Sequence, residues 1–478
     1  MDKTTFLNES ISIIILLVIS IIFTIAGFSY SKKYQGIKNY LVANRNIKFF
    51  SLTTSLTASA LGAWILFGPA SAATWGGIGA VVGYSLGTAF PMIALIFLGK
   101  KIRILNPGGS TLIEFLRKRF GESLFKLILL MTIFYMFIFL CAEITAIAML
   151  VNYISNTDLW ITALIVLAST LAYTLYGGLK VSIFTDTIQS VIILILFLIS
   201  SYYLLFFTGD KFSFNFIHQQ KPELLSGNYI PNYTAGLTFF IAVAATNLFH
   251  QGNWQRVYAS KNYDTLKKSL IFSFIIIIPI VFFMGFCGLI EASDNSKAIP
   301  DLAFFSLLLK DQTGLLSVII IILALSLTIS TLDTLINAIS SLIYVNGKNI
   351  LGFNKRINYL KFSKQFIIMI SFLAFLIASK GFSILYLFLI ADLFCCAAVM
   401  TVFYGFYNKQ LKEKNAYLSI TLGLIIGFLL FPSPDFSKSI LVGIMLPVDF
   451  FPSFVSQSLL FLSFLGATFI PMITWKLR

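Results

Sequence analysis

Four carboxylates stand where a bilayer tolerates them least. Glu143, Asp186, Asp333 and Asp392 each fall inside a strongly apolar run of the chain. Ionisable groups at that depth are costly and face a bundle interior or a water-filled cavity. No basic residue lies deep in any predicted span, so these acids lack an obvious ion-pair partner within the membrane. Each is then protonated, hydrogen-bonded, near water or beside a bound cation. An acid-only set favours cation handling over anion binding. Asp333 lies in "ALSLTISTLDTLINAISS", where Ser326, Ser330, Thr331 and Thr334 recur at three-to-four-residue spacing and share much of one helical face. A single hydroxyl often serves only the carbonyl of its own preceding turn. A stripe of them ending in an acid offers the oxygen ligands that hard cations prefer. Asp186 lies in "YGGLKVSIFTDTIQSVI" near the start of a predicted span, where an acid in a first turn also suits the helix dipole.

The elements that position these groups are membrane spans. Of 478 residues, 58% are hydrophobic and 11% charged, too few charges to cover a soluble surface. Apolar runs long enough for about 30 Å of hydrocarbon fall near 9–31, 48–70, 77–99, 124–152, 159–177, 184–207, 234–252, 269–291, 313–346, 362–379, 382–407, 416–431 and 455–475. The expected class is an all-α polytopic membrane protein of about thirteen crossings. The net charge of +15 could suggest nucleic acid, but its placement argues for topology. Lys32, Lys33, Lys100, Lys101, Arg103, Arg117, Lys118, Arg119, Lys267, Lys268, Lys355 and Arg356 all fall in loops of one side. The bias selects an outward N-terminus and a cytoplasmic C-terminus in the cell (inner) membrane. The first span lacks a basic leader region and a small-residue cleavage site, so it reads as a retained helix. Cys141, Cys287, Cys395 and Cys396 sit in apolar spans and read as small buried hydrophobes.

The organisation reads as an N-terminal helix and loop (1–47), five crossings (48–207), an outward loop (208–233), five more crossings (234–407) and peripheral helices (408–478). An odd number of crossings forces the second set to start from the opposite side, as an inverted repeat requires. Such proteins bind substrate near the midplane. The first helix of each half should then be discontinuous. The first carries Gly62, Gly68 and Pro69; the second offers Ala244-Ala245-Thr246-Asn247 and Gly252. Irregular backbone at that depth is tolerated where it lines a cavity. Gly79, Gly83 and Gly87 form a small-residue stripe suited to close helix packing.

"YGGLKVSIFTDTIQ", the "IST" of the hydroxyl-rich helix and "QRVYASKN" at 255–262 resemble the sodium:solute symporter family over about residues 35–407. That family includes sodium-coupled transporters of proline, pantothenate, sialic acid and glucose. The resemblance implies a leucine-transporter-like fold of two five-helix inverted repeats. It also implies a sodium site made by the carbonyls of Ala58, Leu61 and Leu327 with the hydroxyls of Ser330 and Thr331. Asp186 matches an acid that assists sodium release, and in some members that acid binds a second sodium together with polar residues that map here to Asp333 and Thr334. Proline-transporting members carry an acid where this chain has Ala60, which weakens proline as the cargo. Trp64, Asn247, His250 and Gln251 are substrate-contact candidates, because they are polar or aromatic near the broken helices.

The expected function is sodium-coupled symport of a small polar organic solute (amino acid, carboxylate or sugar-like) by alternating access. Sodium would be the coupling ion, with no prosthetic group, no enzyme activity and no nucleic-acid partner. A proton-coupled symporter of the same fold is the alternative. A transporter-like sensor is less expected, since Lys476-Leu477-Arg478 directly follows the last span. The sequence has no Gly-x4-Gly-Lys-Ser/Thr loop, which argues against an ATP-driven pump.

Overall fold

Apolar runs become helices in a bilayer because every backbone polar group must find its partner internally. The computed structural model describes residues 6–33, 36–207, 209–295, 299–310, 314–351, 358–447 and 450–476, and most of these are helical. Lys355, Arg356, Leu477 and Arg478 lie outside the described residues. The principal helices are α1 (Glu9–Ser31), α2 (Phe49–Ala60), α3 (Gly68–Leu105), α4 (Glu122–Ser155), α5 (Leu159–Phe207), α6 (Ile230–Phe249) and α7 (Gln251–Ala259). They continue as α8 (Tyr263–Asp294), α9 (Gly314–Leu351), α10 (Tyr359–Ala378), α11 (Ile384–Tyr404), α12 (Glu413–Leu430) and α13 (Leu459–Phe469). Among the described residues, nine of these are individually long and apolar enough to cross a membrane.

Two of the nine are interrupted rather than continuous helices. At 1.5 Å per residue, α3 and α5 would extend about 57 Å and about 74 Å, far beyond a bilayer's hydrocarbon. Each is broken at one glycine, Gly77 and Gly178, both with φ +60° and ψ −159°. That backbone is open essentially to glycine alone. A side chain there would also collide, at Gly77 with the Leu224 carbonyl and at Gly178 with the backbone of Tyr40. The segment 68–76 therefore completes the crossing begun by α2, and 159–177 and 179–207 are separate segments. Asp186 consequently lies two turns into its helix. The first-turn dipole explanation for it does not apply.

Both expected discontinuities exist. α2 ends at Ala60, Leu61 leaves helical geometry (φ −111°, ψ 67°), and Gly62 is extended before a short turn at Ala63–Leu66. Helix resumes at Gly68 with Pro69 in its first turn, where a missing N–H costs nothing. The second break falls at His250 (φ −58°, ψ 108°), later than Ala244–Asn247, which remain helical in α6. Gly252 belongs to α7. The carbonyls freed by this break are recaptured locally. Trp254 Nε1 donates to the Leu248 carbonyl (2.7 Å) and Asn253 Nδ2 to the Asn247 carbonyl (2.9 Å).

The glycine stripe of α3 packs as expected. A methyl on Gly79 would run into Asn232, and one on Gly83 into Gly236, both at the backbone of α6. At Gly87 the nearest atom would be the Phe239 carbonyl oxygen, at 2.8 Å. This sets the crossing that follows the Gly77 kink tightly against α6. All four cysteines are free and buried.

Candidate ion and substrate site

All four acids are buried: Glu143, Asp186 and Asp333 are fully covered and Asp392 is 4% exposed. Their surroundings differ. Asp186, expected to lack an ion-pair partner, has one. The guanidinium of Arg256 on α7 lies 2.7 Å from Asp186 Oδ2, with both side chains fully buried. Ser55 on α2 donates to the same carboxylate oxygen at 2.5 Å, and Ser330 on α9 donates to Oδ1 at 2.6 Å. Arg256 also donates to Ser55 Oγ (2.7 Å), Thr334 Oγ1 (3.0 Å) and the Gly252 carbonyl (3.0 Å). One ion pair thus ties α2, α5, α7 and α9 together. Its hydrogen bonds are the compensation a buried charge pair requires.

Asp333 belongs to a neighbouring cluster. Its carboxylate accepts from Tyr173 (2.8 Å), Ser182 (2.7 Å) and Thr185 (2.9 Å), all on α5. Thr334 links the clusters, accepting from Arg256 and approaching Asp333 Oδ1 at 3.4 Å. The implied second cation set is therefore divided. Arg256 holds Asp186 and Thr334, and three hydroxyls of α5 hold Asp333. A guanidinium stands among the oxygens that a second ion would need.

Glu143 on α4 serves the first break. Its Oε2 accepts from the Ala63 backbone N–H at 2.9 Å, one of the amides released where α2 stops. Its Oε1 has no hydrogen-bond partner among the described residues. A Cβ placed on Gly62 would strike this oxygen and come within 2.8 Å of Thr331 Oγ1. Only glycine lets the broken backbone, Glu143 and the α9 hydroxyl approach so closely.

The implied sodium ligands do not share one cavity, because Thr331 lines a different one from Ala58, Leu61 and Leu327. Ala58, Leu61 and Leu327 line one cavity of about 300 Å³ between α2, α5, α8 and α9. Ser330 and Thr331 are adjacent on α9, with the Ser330 proton directed to Asp186 and that of Thr331 to the Leu327 carbonyl (3.2 Å). A hydroxyl oxygen retains lone pairs while it donates. Ser326 only back-bonds to the Ile322 carbonyl, at 2.8 Å.

A second, smaller cavity of about 20 Å³ lies between the two breaks. It collects Trp64, Asn247 and His250 from the expected substrate contacts, and adds Ser59, Tyr84, Phe139, Phe388 and Asp392. Gln251 is elsewhere: its Nε2 donates to the Ser110 carbonyl and its Oε1 accepts from Leu112 N–H, both at 3.3 Å. Asp392 Oδ1 accepts from Thr246 Oγ1 at 2.6 Å.

A family model described as the sodium:solute symporter family matches residues 40–425. The chain belongs to that family. Among its curated relatives, the spermidine transporter DUR31 of Candida albicans is 25% identical over 411 residues, covering 85% of this chain and 77% of the relative. Sodium/myo-inositol cotransporter 2 of Bos taurus is 24% identical over 83% of this chain and 65% of its own. Sodium/glucose cotransporter 1 of Ovis aries is 31% identical, over 39% of this chain and 28% of its own length. A solved Na+-coupled sialic acid symporter in a substrate-bound outward-open state superposes with a TM-score of 0.72, covering 97% of each chain at 15% identity. Mhp1, a nucleobase-cation-symport-1 family transporter, gives 0.59 over 92% of this chain and 95% of its own, at 14% identity. The fold is the leucine-transporter-like one, and the chain is a multi-pass membrane transporter of the sodium-coupled class.

Arg256 is what reading this symporter's sequence missed. It lies within "QRVYASKN", yet the predicted span stopped at 252, so it counted as a loop residue. The signal was present: a helix that breaks at His250 and resumes carries Arg256 one turn deeper than a loop assignment does. The hydroxyl donors to Asp333 carried no comparable signal, since Tyr173, Ser182 and Thr185 are separated from it by about 150 residues.

Proposed function

We propose that this symporter imports a small polar organic solute together with sodium by alternating access, its halves 48–207 and 234–407 moving against one another. The N-terminus lies outside and the C-terminus in the cytoplasm, as the distribution of Lys and Arg favours. The observation that supports the ion assignment is the close approach of the Gly62 backbone to Thr331 Oγ1, the neighbour of Ser330 on α9. Carbonyls of Ala58, Leu61 and Leu327 with the two hydroxyls supply an all-oxygen set of the kind a hard cation takes. Sodium there would bridge α2 and α9 and favour the state in which the substrate cavity is formed. By linkage, solute and sodium raise each other's affinity by the same factor.

Ser330 joins this set to the ion pair, because its oxygen can meet sodium while its proton stays on Asp186. Loosening that bond offers a route for sodium release toward Asp186. The guanidinium of Arg256 stands among the oxygens of a second cation site, so one sodium moves per cycle. The named relatives carry a polyamine, an inositol and a hexose, so kinship alone does not select this chain's solute.

Uptake of solutes into proteoliposomes under an imposed sodium gradient, against a proton gradient of equal size, tests the reading. Uptake should follow sodium, with a Hill coefficient near one. Accumulation indifferent to sodium would overturn it. A Ser330→Ala/Thr331→Ala double variant should lower sodium affinity at least tenfold, and unchanged sodium dependence would sink the site.

A further inference from the structure

The small cavity between the breaks has a composition of its own. Four aromatic side chains, Trp64, Tyr84, Phe139 and Phe388, surround a single carboxylate, Asp392, and no Lys or Arg lines it. The rings are held by one another: Trp64 stacks on Tyr84 (5.6 Å, 22°), and Phe139 meets Phe388 edge to face (4.7 Å, 71°). Asp392 spends one oxygen on Thr246 and forms no salt bridge among the described residues. The nearby buried cation, Arg256, is committed to Asp186, Ser55, Thr334 and Gly252. Aromatic faces attract cations electrostatically, and most strongly when water is excluded. A carboxylate with an open oxygen adds a charge-assisted acceptor. An anionic solute would meet repulsion from the acid and find no Lys or Arg in the lining, where the imidazole of His250 is the one basic side chain.

We propose that this cavity takes a primary ammonium group, so that the cargo is an organic amine carried as a cation. The inference deepens the symporter reading and rests on it for transport, although not for binding. The size of the cavity agrees. About 20 Å³ admits a group the size of a water molecule. An ammonium head fits this space, with the rest of the solute accommodated as the cavity opens. N–H donors are required because Asp392 can only accept when ionised.

The test uses an isosteric pair, 1,4-diaminobutane and 1,4-butanediol, with succinate as the anionic analogue. Binding to the purified full chain in sodium-containing nanodiscs is followed by tryptophan fluorescence. Diaminobutane should bind at least tenfold more tightly than the diol, and succinate more weakly still. Asp392→Asn should reduce that preference to about onefold. Phe388→Leu, which keeps apolar volume but removes a ring face, should weaken diamine binding about threefold or more and leave diol binding within twofold. It tests the cavity even if the Asn variant fails to fold. Equal or tighter binding of the diol or succinate, no saturable binding of the diamine, or an intact preference in a folded Asp392→Asn protein would each overturn the proposal. Labelled 1,4-diaminobutane in proteoliposomes separates the two readings. Amine binding without sodium-driven uptake supports the ammonium site and defeats symport of that amine. Sodium-driven uptake of a neutral solute, with no amine binding, does the reverse.

Discussion

Asp186 and Asp392 are both buried aspartates on helices lining the same core, yet they have opposite electrostatic surroundings. Asp186 is closed on every side: a guanidinium and two hydroxyls take its oxygens. Asp392 has one threonine and a ring of aromatic side chains. The first arrangement ties four helices together through one ion pair. The second leaves a charge uncompensated and a space beside it. Burial of an acid in a membrane protein therefore does not identify a ligand site. The count of partners it has already found does.

The comparison breaks most readily at Arg256. Arg256→Gln leaves Asp186 buried without its counter-charge and should cost about 3–5 kcal/mol, read as a lower unfolding midpoint in detergent. Adding Asp186→Asn should recover part of the loss, giving a coupling energy in a double-mutant cycle. If Arg256→Gln is as stable as the parent, the pair is not what holds these helices.

A smaller loss is expected from Ser330→Ala. It removes one hydrogen bond to a charged group, worth about 1.5–3 kcal/mol, and should lower sodium affinity in uptake assays as well. Stability loss without any change in sodium activation would detach Ser330 from the ion site.

Asp392→Asn should behave in the contrary way. Removing a buried charge that lacks a counter-charge should leave the midpoint unchanged or raise it, while amine uptake falls at least tenfold. A marked loss of stability would place Asp392 with Asp186 among the structural acids. At the bottom of the scale, Arg117→Ala breaks the exposed pair with Glu122, where both side chains are roughly half exposed. Its cost should stay below about 1 kcal/mol.

Much of this was legible in the chain. Hydropathy located the crossings, since a bilayer demands apolar runs of set length. Gly62, Gly68 and Pro69 marked the first break, because they are residues a continuous helix avoids. Gly79 and Gly83 showed where two backbones touch. The second break was placed too early, because Ala244–Asn247 are good enough helix residues once α6 is packed. The predicted spans leave a loop around Gly178 and so put Asp186 in a first turn it does not occupy.

What the sequence determined by itself was the set of membrane-deep carboxylates and hydroxyls, and the expectation that broken helices would bring oxygens together. Those properties are local: they follow from residue type, spacing and the hydrocarbon thickness. Only the tertiary structure decided which acid is neutralised and which stays open. Asp186 and Arg256 are 70 residues apart, and Asp392 is 146 residues from Thr246. Ion pairing depends on distances of a few ångströms, and no spacing along the chain encodes them until the helices have packed.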